Sequence, residues 1–216
     1  MTPERFHRLR AALARRQPDL TVLMDQVHKS HNFSAILRSC DAVGVLEAHV
    51  VASEGAVAVH NATSAGTKKW IGVRSHATVT DGIAVLRAGG FQLLAAHPST
   101  SAKDYRAVDY TRPTAIILGA ELHGVSPDAL SLADVHVTIP MVGLVHSLNV
   151  SVATALLLFE AHRQRAERGM YERSRLPAAD FERRLFEWAY PSLARSRREA
   201  ELPYPPLGPD GELVPD

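Results

Sequence analysis

The sequence predicts an α/β fold with a mostly parallel sheet and helices on both faces. Two patterns carry that prediction. Short apolar or β-branched runs at 20–27, 47–52, 71–75, 91–96, 114–118 and 136–139 alternate with segments of helical spacing, the order of a parallel sheet wound through crossover helices. One run, 114–118 (TAIIL), is continuously apolar, as a strand covered on both faces must be.

The elements follow in order. Residues 5–16 place Phe6, Leu9 and Leu13 at helical spacing until Pro18, which makes a short basic amphipathic helix. The run 20–27 is the first buried strand and ends at His28, Lys29, Ser30, His31 and Asn32. From Asn32 a helix sets Ala35, Ile36, Cys40 and Val43 on one side, with Gly44 placed to end it. Ligands of open α/β sheets sit beyond the carboxyl ends of strands, so Asn32 and Arg38 are site candidates. A helix cap and a solvated helix residue explain them equally well, and both readings stand at this point.

After the strand at 47–52, residues 54–69 are small and polar and read as a surface loop or irregular helix. Lys68 and Lys69 there either meet a nucleic-acid backbone or are simply solvated beside a packed Trp70. A helix from Thr80 or Asp81 through Leu86 stops at Gly89 and Gly90, and the strand 91–96 is broken by His97, Pro98 and Ser99. Residues 104–109 form a polar connection. Past 114–118 the chain reads GAELHGVSPDAL: Gly119 and Gly124 permit close approach or positive φ, Ser126 is a good N-cap, and Pro127 suits the first helical position. Glu121 sits between those glycines, either to accept loop N–H groups or to serve a site.

The strand 136–139 delivers a Gly143-containing loop and then a long helix. Val152, Leu156 and Phe159, widened by Leu157 and Leu158, predict a buried first half, with Glu160, Arg163, Gln164 and Arg165 emerging into water. Ser147, Asn149 and Ser151 gather at its start, as caps or as a polar cradle for a small ligand. Phe181, Leu185 and Trp188 predict one more helix. The last fifteen residues hold five of the thirteen prolines and read as extended or disordered. Boundaries fall at 1–18, 19–168, 169–200 and 201–216.

Composition narrows the class. With 216 residues, 46% hydrophobic and 22% charged, the chain holds one core domain plus appendages. A lone Cys40 excludes an internal disulfide, and no CxxC or histidine cluster at ligand spacing points to a metal. The first residues lack an apolar stretch of signal-peptide length and no apolar run spans a bilayer, so the expected location is cytoplasmic and not membrane-bound. The net charge of +1 is uneven. Residues 1–20 hold five Arg against Glu4 and Asp19, and 162–199 hold ten Arg against six acids, while the middle and the tail are net acidic. Basic flanks around a neutral core suggest a polyanion met through the added helices, or else solvated arginines.

Three segments taken together, NFSAILRSCDAVG at 32–44, ILGAELHGVS at 117–126 and IPMVGLVHSLNVSVATAL at 139–156, resemble the motifs of the SpoU branch of the SPOUT RNA 2'-O-ribose methyltransferases. RRQPDLTVLMDQVHKSHN at 15–32, VDYTRPTAIILGAE at 108–121 and the LPYP near the end make the likeness greatest to TrmH-type tRNA guanosine-18 2'-O-methyltransferases. The resemblance implies a deep trefoil knot in the C-terminal part of the sheet and S-adenosyl-L-methionine bound through backbone groups of Ala96, His97, Gly119, Ile139, Met141, Leu144, Ser147 and Leu148. Some similar members have Thr where Ala96 stands.

It further implies a homodimer in which Asn32 and Arg38 of one subunit face the other's cofactor. Arg38 takes the place of the catalytic arginine and Asn32 of the substrate-positioning asparagine, while Glu121, Ser147 and Asn149 shape the pocket. Contacts to tRNA fall on Arg8, Arg15, Arg16, Lys68, Lys69 and Arg163. Because a guanidinium with a pKa above about 12 is a poor base, Arg38 is assigned to the developing oxyanion, with phosphate-assisted proton removal as the alternative. A ribosomal-RNA methyltransferase on the same fold is the rival, though such members often carry an added N-terminal domain and here about twenty residues precede the first strand. A dinucleotide-binding dehydrogenase is disfavoured because no GxGxxG follows a strand.

Overall fold

The computed structural model describes residues 1–51 and 69–214, so the reading of 54–68, Lys68 included, lies outside the described residues. In chain order the elements are α1 (Pro3–Ala14), β1 (Leu20–Asp25), α2 (Ser30–Ala42), β2 (Glu47–Val51), β3 (Gly72–His76), α3 (Val79–Ala88), β4 (Gln92–Ala96), β5 (Lys103–Asp104), β6 (Thr114–Leu118), α4 (Pro127–Leu132), β7 (Val135–Thr138), α5 (Val150–Glu167), α6 (Ala178–Ala189) and α7 (Pro191–Glu199). The chain divides into two compact units, Gln17–Gly169 and a terminal unit of Met1–Arg16 with Met170–Asp216. Among the described residues no helix is long and apolar enough to cross a membrane.

The larger unit is built on a seven-stranded sheet in the order β3-β2-β1-β6-β4-β7-β5, with every pair parallel. Successive side chains of a strand point to opposite faces, and here both faces are covered. Val22, Met24, Ile116 and Leu118 pack with Ile36 and Leu37 of α2 and with Leu157, Leu158 and Ala161 of α5. Leu23, Ala115 and Ile117 pack on the other face with Ile83 and Leu86 of α3 and Ala129 of α4. That double cover is why 114–118 has no polar alternation. The chain steps outward from β1 to β3, returns to lay β4 two places beyond β1, and inserts β6 between them. The carboxyl ends of β6, β4 and β7 are thereby adjacent.

Most expected elements appear, and some details differ. Helix α3 begins at Val79 because Thr78 is its cap: the Asp81 N–H donates to the Thr78 hydroxyl at 3.1 Å, and that hydroxyl donates to the Asp81 carboxylate at 2.7 Å. The connection at 104–109 holds the second residue of β5, paired with β7, and a 3₁₀ turn. In α5 the stripe Val152, Leu156 and Phe159 is exposed, and the buried line is Thr154, Leu157, Leu158, Ala161 and Arg165. Both sets have helical spacing, so a helix apolar nearly all round does not declare which side meets the sheet.

Arg165 accordingly lies inside rather than in water, 0% exposed. Its Nε donates to the Tyr110 carbonyl at 2.9 Å, its Nη1 to Gln17 and Asp19 at 3.1 and 2.6 Å, and its Nη2 to the carbonyls of Asp19 and Arg112, each at 3.0 Å. These five bonds match the five donors of a guanidinium.

The terminal unit packs Phe6 and Leu13 of α1 against Phe181, Leu185 and Ala189 of α6. The tail is fastened rather than loose. Tyr204 stacks on Phe186 at 4.5 Å between centroids, and the Tyr190 hydroxyl donates to the Gly211 carbonyl at 2.6 Å. Gly211 has φ +84, and any side chain there would collide with the Phe6 ring, so only glycine lets this turn close.

Candidate active site

A cavity of about 550 Å³ opens at the carboxyl ends of β4, β6 and β7, a volume within the range of small-molecule sites. It is lined by Ala96, His97 and Pro98 after β4, by 118–124, by Thr138, Ile139 and Met141 after β7, by 146–150 at the start of α5, and by Lys29 and Asn32. The turn after β6 is shaped by its glycines. Ala120 and Gly124 exchange backbone hydrogen bonds of 2.9 and 2.8 Å, Gly124 has φ +70, and a side chain on Gly119 would collide with the backbone of Gly124 and Val125. The closed turn holds Glu121 at the cavity wall.

Glu121 begins a chain of hydrogen bonds that ties three segments together. Its Oε1 accepts from the Asn32 side-chain amide at 2.8 Å and from the Lys29 backbone N–H at 3.2 Å. Asn32, 1% exposed, in turn accepts from the Asn149 amide at 3.2 Å. Asn149 is the N-cap of α5, its Oδ1 accepting from the Ser151 N–H at 2.8 Å. Burial pushes the Glu121 carboxyl pKa up, but hydrogen bonds from Asn32 and from the backbone of residues 121, 29 and 28 outweigh that and hold it below the usual carboxylate range. The cavity therefore carries an anion.

Of the residues singled out from the sequence, Asn32, Ala96, His97, Gly119, Glu121, Ile139, Met141, Ser147, Leu148 and Asn149 line this cavity. Leu144 does not; the loop before α5 carries it outward, 97% exposed. Arg38 is exposed and outside the lining, because six positions along α2 turn it about 240° from Asn32. Asn32 lines its own chain's cavity and is bonded to its own Glu121 and Asn149.

Among the basic residues, Arg8, Arg15 and Lys69 are exposed. Arg16 is buried with its guanidinium 5.2 Å from the Trp188 ring centroid, which withdraws it from an RNA surface. Arg163 is exposed but paired with Glu160 at 2.7 Å and Glu167 at 2.6 Å, and these contacts raise its pKa. Sequence reading missed Lys29 because its contribution is a backbone N–H, which no side-chain pattern announces.

Residues 19–159 match the SpoU rRNA Methylase family, and 163–216 match its C-terminal segment, described as SpoU, rRNA methylase, C-terminal. The chain is similar to the tRNA (guanosine(18)-2'-O)-methyltransferase of Escherichia coli (strain K12), 50% identical over 218 residues that cover 100% of this chain and 95% of that one. It superposes on the A. aeolicus TrmH/SpoU tRNA modifying enzyme with a TM-score of 0.81 at 42% identity, covering 88% of this chain and 97% of that chain. The AdoMet-bound rRNA methyltransferase from Sinorhizobium meliloti gives 0.61 at 29% identity, over 72% of this chain and 59% of that chain. By its matched residues and its fold, the chain belongs to the SpoU rRNA Methylase family.

Proposed function

We propose that this protein transfers the methyl group of S-adenosylmethionine to the ribose 2'-oxygen of guanosine 18 in tRNA. The observation that carries the reading is the likeness, over the whole chain and both units, to an enzyme named for that reaction. The cavity fits the cofactor. Leu118, Val137, Ile139 and Leu157 offer apolar walls for a purine, the loops offer backbone donors and acceptors, and the α5 N-terminus suits a carboxylate. When bound, S-adenosylmethionine supplies a methyl on a positively charged sulfur that becomes neutral as the methyl leaves, so the leaving group needs no acid.

The residues of this chain provide alignment. Glu121, held ionised, complements a cation in the cavity. Asn32, buried between Glu121 and Asn149, acts as the positioning asparagine by holding those two walls of the site in register. Ser147 and Asn149 fix the α5 end of the site. Arg38 acts on the site of a second copy, where it stabilises the developing oxyanion while the 2'-hydroxyl proton passes to another group and on to solvent. A homodimer accounts for the exposed Val152, Leu156 and Phe159 of α5, since apolar strips of that kind mark interaction surfaces. The trefoil knot belongs to this reading, as do a cytoplasmic setting and tRNA contacts through Arg8, Arg15 and Lys69.

The test is transfer from labelled S-adenosylmethionine to an unmodified tRNA transcript and to the same transcript lacking the 2'-hydroxyl at guanosine 18. Methylation of the first alone is expected, and Arg38→Ala abolishes it while cofactor still binds. Transfer to ribosomal RNA with none to tRNA would replace the substrate reading.

A further inference from the structure

The segment leaving β1 carries an acid that this mechanism does not use. Asp25, the last residue of β1, is 1% exposed. Its Oδ2 accepts the backbone N–H of Ser126 at 2.9 Å, while its Oδ1 is buried without a hydrogen-bond partner. Gln26, next in the chain, has φ +57, so the backbone turns sharply once Asp25 is placed.

Ser126 is the N-cap of α4 and closes the stretch that brings Gly119, Glu121 and Gly124 to the cavity. Glu121 reaches the opposite way, to the Lys29 N–H and the Asn32 amide beyond β1. Strands β1 and β6 are neighbours, with Met24 beside Leu118, and each therefore sends a carboxylate into the link that follows the other. The two acids form a reciprocal clasp. A buried carboxylate with an unpaired oxygen is costly, and an apolar residue at a strand end would avoid that cost. What an apolar residue cannot do is hold Ser126.

We infer that Asp25 is a positioning residue for the methyl-transfer site, holding the 119–126 stretch so that Glu121 and the glycine backbone face the cavity. The inference rests on the reading of that cavity as the cofactor site. Its geometry also implies coupling: loss of either carboxylate frees the same loop.

The experiment compares Asp25→Ala and Asp25→Asn in the intact chain, by steady-state methyl transfer to tRNA and by amide hydrogen exchange. Asp25→Ala should raise the KM for S-adenosylmethionine about tenfold and leave the KM for tRNA within about twofold, as loss of a charge-assisted bond at one loop would. A merely structural role would lower the active fraction and move neither KM. Exchange at 119–126 should quicken while β1, β4 and β6 stay protected. Asp25→Asn, whose side-chain oxygen still accepts the Ser126 N–H, should return both readouts to within about threefold of the parent. In a Glu121→Ala background, which removes the oxygen that accepts from Lys29 and Asn32, Asp25→Ala should add less than about threefold, because the loop is already released.

An unchanged KM with slow loop exchange would overturn the inference, and so would an asparagine variant as impaired as alanine or effects that multiply independently. If Asp25→Ala deprotects the strands too, Asp25→Ser, too short to reach Ser126, takes its place with the same expectation, and strand deprotection there as well overturns the local role. A parent protein that neither binds S-adenosylmethionine nor methylates tRNA would remove the functional reading alone, since loop exchange still tests the clasp.

Discussion

In the N-terminal half of α5, Val152, Leu156 and Phe159 are 48%, 39% and 52% exposed, whereas in its C-terminal half Arg165 is 0% exposed. Hydropathy along the chain suggests the reverse arrangement. Angle around the helix decides instead: the line facing α2 and the sheet runs through Thr154, Leu157, Leu158, Ala161 and Arg165. Each half then has its own requirement. The exposed apolar residues form the face that the proposed dimer would cover, and the buried guanidinium needs acceptors, of which it has five.

The sharpest way to break this comparison is Arg165→Ala. It takes the guanidinium away from the Asp19 carboxylate and from the carbonyls of Tyr110 and Arg112, and should cost the larger unit about 3–5 kcal/mol in denaturant unfolding. A loss under about 1 kcal/mol would mean that water replaces the guanidinium readily. The other half is tested by Leu156→Glu, which adds a charge to an exposed site and leaves the monomer core alone. Its expected effects are a monomer in sedimentation and methyl transfer reduced at least about tenfold, with thermal unfolding of the monomer little changed. A dimer with full turnover would overturn the proposed α5 interface.

Five acceptors surround the buried Arg165; the buried His49–His76 pair has no such cage. Nδ1 of His49 lies 2.8 Å from Nε2 of His76, and burial, then His76, then Arg74, lower the His49 pKa to about 4. The unfolded chain takes up a proton near pH 6.5 that folded His49 refuses, so this contribution to stability is complete above pH 6.5 and is lost as pH falls toward about 4. Unfolding free energy should drop by about 3 kcal/mol more over that window than in His49→Gln. Equal slopes would show that the pair titrates alike in both states. The smallest effect is expected at Arg163, whose exposed pairs with Glu160 and Glu167 are screened by water: Arg163→Ala should leave the thermal unfolding midpoint unchanged.

Much of the scaffold was readable beforehand. Strands β1 and β6 announce themselves because both faces are covered and neither needs polar alternation. Gly44 and Gly90, at φ +83 and +77, end α2 and α3 as glycines do, and Ser126 before Pro127 starts α4. Of the site, the side chains of Asn32, Glu121 and Asn149 could be named, but not that they bond to one another across 89 and 117 residues of chain. The helix α7 was hidden because Pro191 after α6 looks like a stop, although proline is equally suited to a first turn.

Taken alone, the sequence determined the alternation of strands and helices, the helix ends and the motif side chains, because these depend on spacing and local hydrogen bonding within a few residues. Only the tertiary structure decided which side of α5 is inside, that Arg165 is buried, that Arg38 points away from its own cavity, and that Asp25 and Glu121 hold each other's loops. Those outcomes depend on which acceptors and surfaces distant segments bring to a side chain, and periodicity records a helix's spacing but not what it will face.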